Sequence, residues 1–208
     1  MRISHIVLLI TAATMSACQS NSSDSKTIRP DTAKNSNPNK AELISPGKSI
    51  GNLFLGQDMT AVTSVLGEPD AGDAAMGKAW GIWYDKDSSD KEQTEISIYS
   101  AYKDSTMMSK DVKQIRTTAD KFKTAEGIGV GNTLRHFKAA YPDIQLRSQY
   151  LVGSSGDTIK LYDSRSKGLS AEIVKDTIRA LSIHVIDSYA NESYFTFDPK
   201  TVKIKQDQ

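Results

Sequence analysis

One short pattern occurs twice in this chain and constrains its fold more than any other feature. The first copy runs from Leu55 to Asp70, with Gly56, Met59, Val62, Leu66 and a closing Pro69-Asp70. The second runs from Val130 to Asp143, with Gly131, Leu134, Phe137, Tyr141 and a closing Pro142-Asp143. Self-similarity at a fixed offset marks a repeated supersecondary unit. Within each copy the apolar residues fall at i, i+3 and i+7, one face of a short helix. Asp58 and Thr133 are placed as N-caps, since their side-chain oxygens can accept first-turn N–H groups. Gly67 suits the left-handed position after a helix, and each proline prevents the helix from resuming. Helices this short are not stable alone and need a surface to cover.

That surface is predicted to be β-sheet. After the first helix come Trp80–Tyr84, Glu95–Tyr99 and Val112–Arg116. After the second come Tyr150–Val152, Thr158–Tyr162, Leu169–Val174 and Ile178–Val185. Apolar and polar residues alternate, which predicts strands with one face buried and one wet. Turn-rich stretches at 85–90, 153–157 and 164–168 are short enough to imply antiparallel neighbours. The fold class expected is α+β: two tandem repeats of a short helical element packed on an antiparallel β-sheet.

The first residues read differently. Met1-Arg2 precede the apolar run Ile6–Ala13, then Met15-Ser16-Ala17-Cys18 and a polar stretch. The run is shorter than the ~20 residues of a membrane-spanning helix and has the size of a secretory signal. Cys18 is the one cysteine, so no internal disulfide forms. The boundary resembles a bacterial lipobox. That resemblance implies cleavage before Cys18 and lipidation there, with three acyl chains, enough for stable anchoring. Gln19 differs from the Asp that resembles an inner-membrane retention signal. In a Gram-negative cell this implies the periplasmic leaflet of the outer membrane. Of the 26 basic side chains one is Arg2, so the mature chain balances 25 basic against 25 acidic groups. Balanced charge argues against a nucleic-acid partner. From Gln19 to about Glu42 the chain is polar and rich in Ser, Asn and Lys. It is expected to be a disordered tether with an r.m.s. reach of roughly 25–30 Å.

The expected organisation is therefore a signal peptide at 1–17, a tether at 18–43 and a first repeat at 44–122. A second repeat follows at 123–188, then a C-terminal extension at 189–208, in which Tyr194–Phe197 is a candidate edge strand.

The Gly-x-x-Met-Thr helix start at Gly56, the Leu66-Gly67-x-Pro69-Asp70 helix end, the aromatic strands and the Lys175-Asp176 turn resemble the β-lactamase-inhibitor-protein-like fold. They also resemble the small outer-membrane lipoproteins of SmpA/OmlA type. The tandem arrangement is similar to the former and the lipobox to the latter. The resemblance implies a non-catalytic, membrane-anchored envelope lipoprotein that binds another protein through its sheet faces.

Chemistry-bearing residues are few. His136 lies on a polar helix side and His184 in a strand. Neither has metal-ligand spacing, and neither a metal nor a cofactor is expected. Gly127–Gly131 departs from phosphate-loop patterns, and Asp85–Asp90 lacks the glycine of a calcium loop. The remaining candidates are aromatic: Trp80, Trp83, Tyr84 and Tyr99 as a tentative partner-binding set, since Trp and Tyr are enriched at binding hot spots. Trp80 and Trp83 are three apart, so on a strand they face opposite sides. The alternative is a lipoprotein that binds peptidoglycan or a small molecule in a pocket between the repeats; an enzyme would need His136 or His184 beside a carboxylate in a cleft.

Overall fold

The computed structural model describes residues 39–86, 93–197 and 199–204. The signal segment, Cys18 and nearly all of the tether lie outside the described residues. So do positions 87–90 of the acidic turn Asp85–Asp90, positions 91, 92 and 198, and residues 205–208. All that is described falls in one compact unit.

The two helices form where the spacing places them. Helix α1 spans Met59–Leu66, and helix α2 spans Leu134–Ala140. Asp58 Oδ1 accepts the Thr60 N–H at 2.8 Å, and Thr133 Oγ1 accepts that of His136 at 3.3 Å. Gly67 follows α1 at φ 77°.

Thirteen strands are described. The first three, β1 (Leu43–Ser45), β2 (Ser49–Ile50) and β3 (Leu53–Phe54), join β8 (Lys123–Thr124) in a small sheet ordered β3-β2-β1-β8. The large sheet holds a first meander, β4 (Ala71–Ala75), β5 (Lys78–Tyr84), β6 (Glu95–Tyr102) and β7 (Lys110–Thr117). A second meander follows α2: β9 (Gln145–Val152), β10 (Thr158–Ser164), β11 (Leu169–Val174) and β12 (Thr177–His184). The last strands of the meanders pair antiparallel, Ile115 opposite Ile183, and β13 (Thr201–Ile204) adds to β9. The result is one nine-stranded sheet ordered β13-β9-β10-β11-β12-β7-β6-β5-β4. With two helices and two sheets, the architecture is α+β.

One face of the large sheet carries the main core. Val62 and Phe137, the central residues of the two predicted helix faces, are fully buried there. They pack with Ile98, Ile115, Leu181 and Ile183 of the sheet and with Ile44, Ile50 and Leu53 of the small sheet. Helices and small sheet thus bury the apolar stripe of every central strand.

The opposite face departs from the expectation of a wet side. Gln114, Arg116, Ser170, Glu172, Ser182 and His184 alternate with the core residues, yet all are buried. The segment 188–197 lies across them. Asn191 donates its N–H to Gln114 Oε1 at 2.6 Å, Ala190 donates to Asp163 Oδ2 at 2.9 Å, and Tyr194 donates its hydroxyl to Glu172 Oε1 at 2.6 Å. That face is therefore not solvated: Gln114, Arg116 and Glu172 are hydrogen-bonded beneath a strap, while Ser170 Oγ and His184 Nε2 are buried without a hydrogen-bond partner among the described residues.

The same segment corrects the candidate edge strand. Ser193–Phe197 is a 3-10 helix of the strap, and the edge strand is β13, four residues later. Strand β4 was not expected at all. Its sequence, Ala-Gly-Asp-Ala-Ala, has no β-branched or aromatic residue.

Candidate functional site

The four aromatic candidates occupy both faces of β5 and β6. Trp80 and Trp83 do face opposite sides, but neither is presented to solvent: they are 5% and 7% exposed. Trp83 belongs to the main core and donates its indole N–H to the Gly67 carbonyl at 3.0 Å. Trp80 lies under the strap. Its indole N–H donates to Ser193 Oγ at 2.9 Å, and its ring meets Tyr99 at 5.3 Å and Tyr194 at 5.0 Å between centroids. Tyr84 and Tyr99 are half-buried. Burial raises the Tyr99 hydroxyl above its ordinary value. Packing inside the protein accounts for both tryptophans, so the expected aromatic contact surface is not open as a surface.

Beneath Tyr194 sits a charged cluster that periodicity alone did not single out. Arg116 forms a bidentate pair with Glu172, through Nε to Oε1 and through Nη2 to Oε2 at 3.1 Å, and also bonds Glu95. Its guanidinium lies 5.1 Å from the Tyr194 ring centroid. Burial opposes both charges, but Glu172 raises the Arg116 pKa above normal, and Arg116 holds Glu172 below the usual carboxylate range. Tyr194 is pushed well above normal, first by burial and then by the Glu172 carboxylate. A sequence signal existed for Glu172, a lone charge inside the largely apolar strand Leu169–Val174, but not for Arg116, whose strand Lys110–Thr117 is mostly polar.

A second cluster centres on Glu192. Burial alone would raise its pKa, but Lys203, Tyr150 and Ser148 donate to it and lower it. A third joins His184 to Asp163, with Nε2 3.3 Å from Oδ1 and both side chains 2% exposed. His184 Nδ1 lies 3.1 Å from the Val185 carbonyl, a contact that suits an N–H donor. Nε2 and Oδ1 are both buried, and neither has a hydrogen-bond partner among the described residues. Asp163 also accepts the strap's Ala190 N–H, so this pair ties β10 and β12 to the strap. His136 is exposed on α2. Among the described residues no group of three or more His, Cys, Asp or Glu could hold a metal ion.

Exposed apolar residues are scattered over several parts of the molecule, Val185, Ile186, Tyr189 and Val202 among them, and one group lies at the β4 side. The two-residue turn Met76-Gly77 and the 103–109 loop lie at the same end of neighbouring hairpins. They leave Met76 98%, Met107 63% and Met108 87% exposed, with Tyr102 beside them at 37%. Met76 and Met107 hold φ of 50° and 56°, a region that costs a non-glycine residue roughly 1–2 kcal/mol. A groove of about 490 Å³ runs between α1 and strands β4 and β5. A separate cleft of about 300 Å³ is lined by Leu66, Trp83, Ile96 and Phe122 with Asp85 and Lys86. The reading from sequence missed the methionines; their signal was a large apolar residue where a turn favours Gly, Asn or Asp.

Comparisons with protein-family models, with curated proteins and with solved structures found nothing that matches this chain.

Proposed function

We propose that this chain is a non-catalytic lipoprotein of the bacterial envelope, anchored by lipid on Cys18, whose sheet body docks another protein. The observation that carries the docking is the methionine cluster at the end of the first meander. Contiguous exposed apolar groups mark interaction sites. Methionine adapts its shape to a partner at low cost. Two of the three are held at positive φ, and backbone strain kept at an exposed apolar tip suggests a functional constraint. The central strands are covered on both faces by the chain itself, so docking falls to the rim and not to the sheet faces. The anchor rests on the lipobox resemblance, and in a Gram-negative cell Gln19 points to the outer membrane.

The finer fold belongs to the same proposal. We read the body as two tandem units of the β-lactamase-inhibitor-protein-like, SmpA/OmlA-type fold. What supports this is repeated local bonding. Gly56 donates its N–H to the Val112 carbonyl at 2.8 Å, and Gly131 to that of Ile178 at 2.9 Å. Val112 and Ile178 donate back to the Gln57 and Asn132 carbonyls at 2.9 and 2.8 Å. Each Pro-Asp also ties to the end of its meander's second strand: Asp70 accepts the Tyr84 N–H, and Asp143 the Ser164 hydroxyl.

Two variants test this reading. Cys18→Ser is expected to leave the protein soluble or unprocessed; membrane retention after complete signal cleavage would overturn the anchor. A Met76→Ser, Met107→Ser, Met108→Ser triple variant is expected to lose crosslinks to a reproducible envelope protein while keeping its melting temperature. The cleft beside Trp83 favours a second reading, a small apolar ligand. Retention of glycan or a small molecule without any protein would support it instead.

A further inference from the structure

The large sheet ends differently on its two sides. At one end β9, the first strand of its meander, is covered by β13 from the chain's own C-terminus. At the other end β4, the first strand of its meander, has no described strand on its outer side. Residues 72–75 of β4 are exposed. An edge strand turns the N–H and C=O of every second residue away from its one neighbour. Proteins blunt such edges with charged side chains, Lys above all, with Pro or with a covering element. Strand β4 has neither Lys nor Pro; its one charge is Asp73, whose carboxylate accepts the Ala74 N–H at 2.8 Å, a bond that an added strand would replace.

The groove beside this edge is shaped for side chains of an added strand. Its floor is Gly72, Ala74, Ala79 and Gly81, and its walls are Met59 and Trp83. A Cβ at Gly81 would lie 2.7 Å from the Trp83 ring, so the indole lies directly across that glycine. On the other face Asp73 stands opposite Trp80 and offers a negative charge.

We propose that the outer edge of β4 is a strand-addition site for an extended segment of a partner protein, with small apolar residues facing the groove and a basic residue opposite Asp73. The chain shows the same chemistry at its other end. Strand β13 alternates Val202 and Ile204 with Lys203, pairs antiparallel with β9, and places Lys203 2.8 Å from the Glu192 carboxylate. A second copy of this chain fits less well. Antiparallel pairing of β4 with itself, centred on Asp73, sets two carboxylates directly opposite, which is destabilising. The inference rests on the protein-docking reading and names its site.

The probe is a synthetic peptide with the sequence of residues 200–205, Lys-Thr-Val-Lys-Ile-Lys, with a second peptide in which each Lys is Glu. Backbone hydrogen exchange of the full chain is followed with each. The basic peptide is expected to slow exchange across 71–75, and the acidic one to leave it unchanged. Ala74→Pro removes an outward N–H without removing a bond to β5, a position where edge strands tolerate proline. It is expected to weaken binding about tenfold with an unchanged melting temperature. Asp73→Lys is expected to exchange the preference between the two peptides, and it keeps the test open if Ala74→Pro fails to fold. No slowing at 71–75 by either peptide would overturn the site. So would equal binding by the Ala74→Pro and Asp73→Lys variants, or a dimer of the wild type that Ala74→Pro dissolves. Envelope crosslinks that survive both variants would overturn the β4 site while leaving protein docking standing. Peptide binding at β4 with no envelope partner recovered would instead count against the docking reading.

Discussion

Arg116 and Glu172 show how much a single buried pair can decide. Both sit beneath the strap, and each charge is tolerable only because the other is present. Removing one partner leaves an uncompensated buried ion, which costs about 3–5 kcal/mol. Arg116→Ala is therefore expected to lower unfolding free energy by that amount in urea titration, while replacing both partners by apolar residues is expected to cost less. Acid tests the same contact. Glu172 and Glu192 both have folded pKa values below the ordinary glutamate value of 4.5. A lowered folded pKa contributes stability that is present above the unfolded pKa and lost as pH falls through the folded one. Melting temperature is thus expected to hold from pH 7 to about 5 and fall below about 4.5. The Glu172→Gln variant is expected to start lower and fall less steeply, because it has one fewer carboxylate to protonate. An equally steep fall would assign the acid sensitivity to other groups.

At the scale of elements, the repeated glycines separate backbone strain from steric clash. Gly56 and Gly131 have φ of 77° and 90°, and an added Cβ at either meets nothing within 4 Å. Alanine at either site is expected to cost about 1–2 kcal/mol, the price of a left-handed L-residue. Gly168 combines φ 64° with a Cβ position 2.3 Å from the His184 carbonyl. Gly168→Ala is expected to cost clearly more than either, measured by the same urea titration. Equal losses at all three would mean that conformation alone matters there. These elements also show what the sequence could reveal. Both helices were legible because capping and i, i+3, i+7 spacing are local. Strands β5, β6, β7, β10, β11 and β12 and the end of β9 were legible because their apolar residues alternate. Strand β4 was not, since Ala, Gly and Asp carry no strand preference and the Met76-Gly77 turn alone defines it. The two- and three-residue strands β1, β2, β3 and β8 are too short to show a period. At the candidate site the opposite facing of Trp80 and Trp83 was legible, but their coverage was not. Whether an outward indole is wet depends on residues more than a hundred positions away, as Ser193 is from Trp80.

For the whole molecule, the strap decides whether the sheet has one buried face or two. Strand alternation alone describes a sheet with a core on one side and water on the other. The segment 188–197 converts the second side into a polar interior, with Tyr194 tilted against Phe195 at 4.3 Å and Phe195 stacked on Tyr150 at 4.0 Å between centroids. Burying an aromatic side chain contributes about 1.5–3 kcal/mol. The strap supplies two, together with partners for Gln114, Asp163, Glu172 and Trp80. Their sum is comparable to the total stability of about 5–15 kcal/mol of an ordinary domain. A chain ending at Ile186 is therefore expected to keep its helix-side core contacts but lose cooperative unfolding. The fluorescence of Trp80 should shift to the red as its ring meets water. The milder pair Tyr194→Ala and Phe195→Ala should show the same shift with a partial loss of stability. If the truncated chain instead unfolds as cooperatively as the full one, the polar face is stable in water by itself. The strap would then be a removable cover, and the sheet face beneath it would return as a docking surface in its own right.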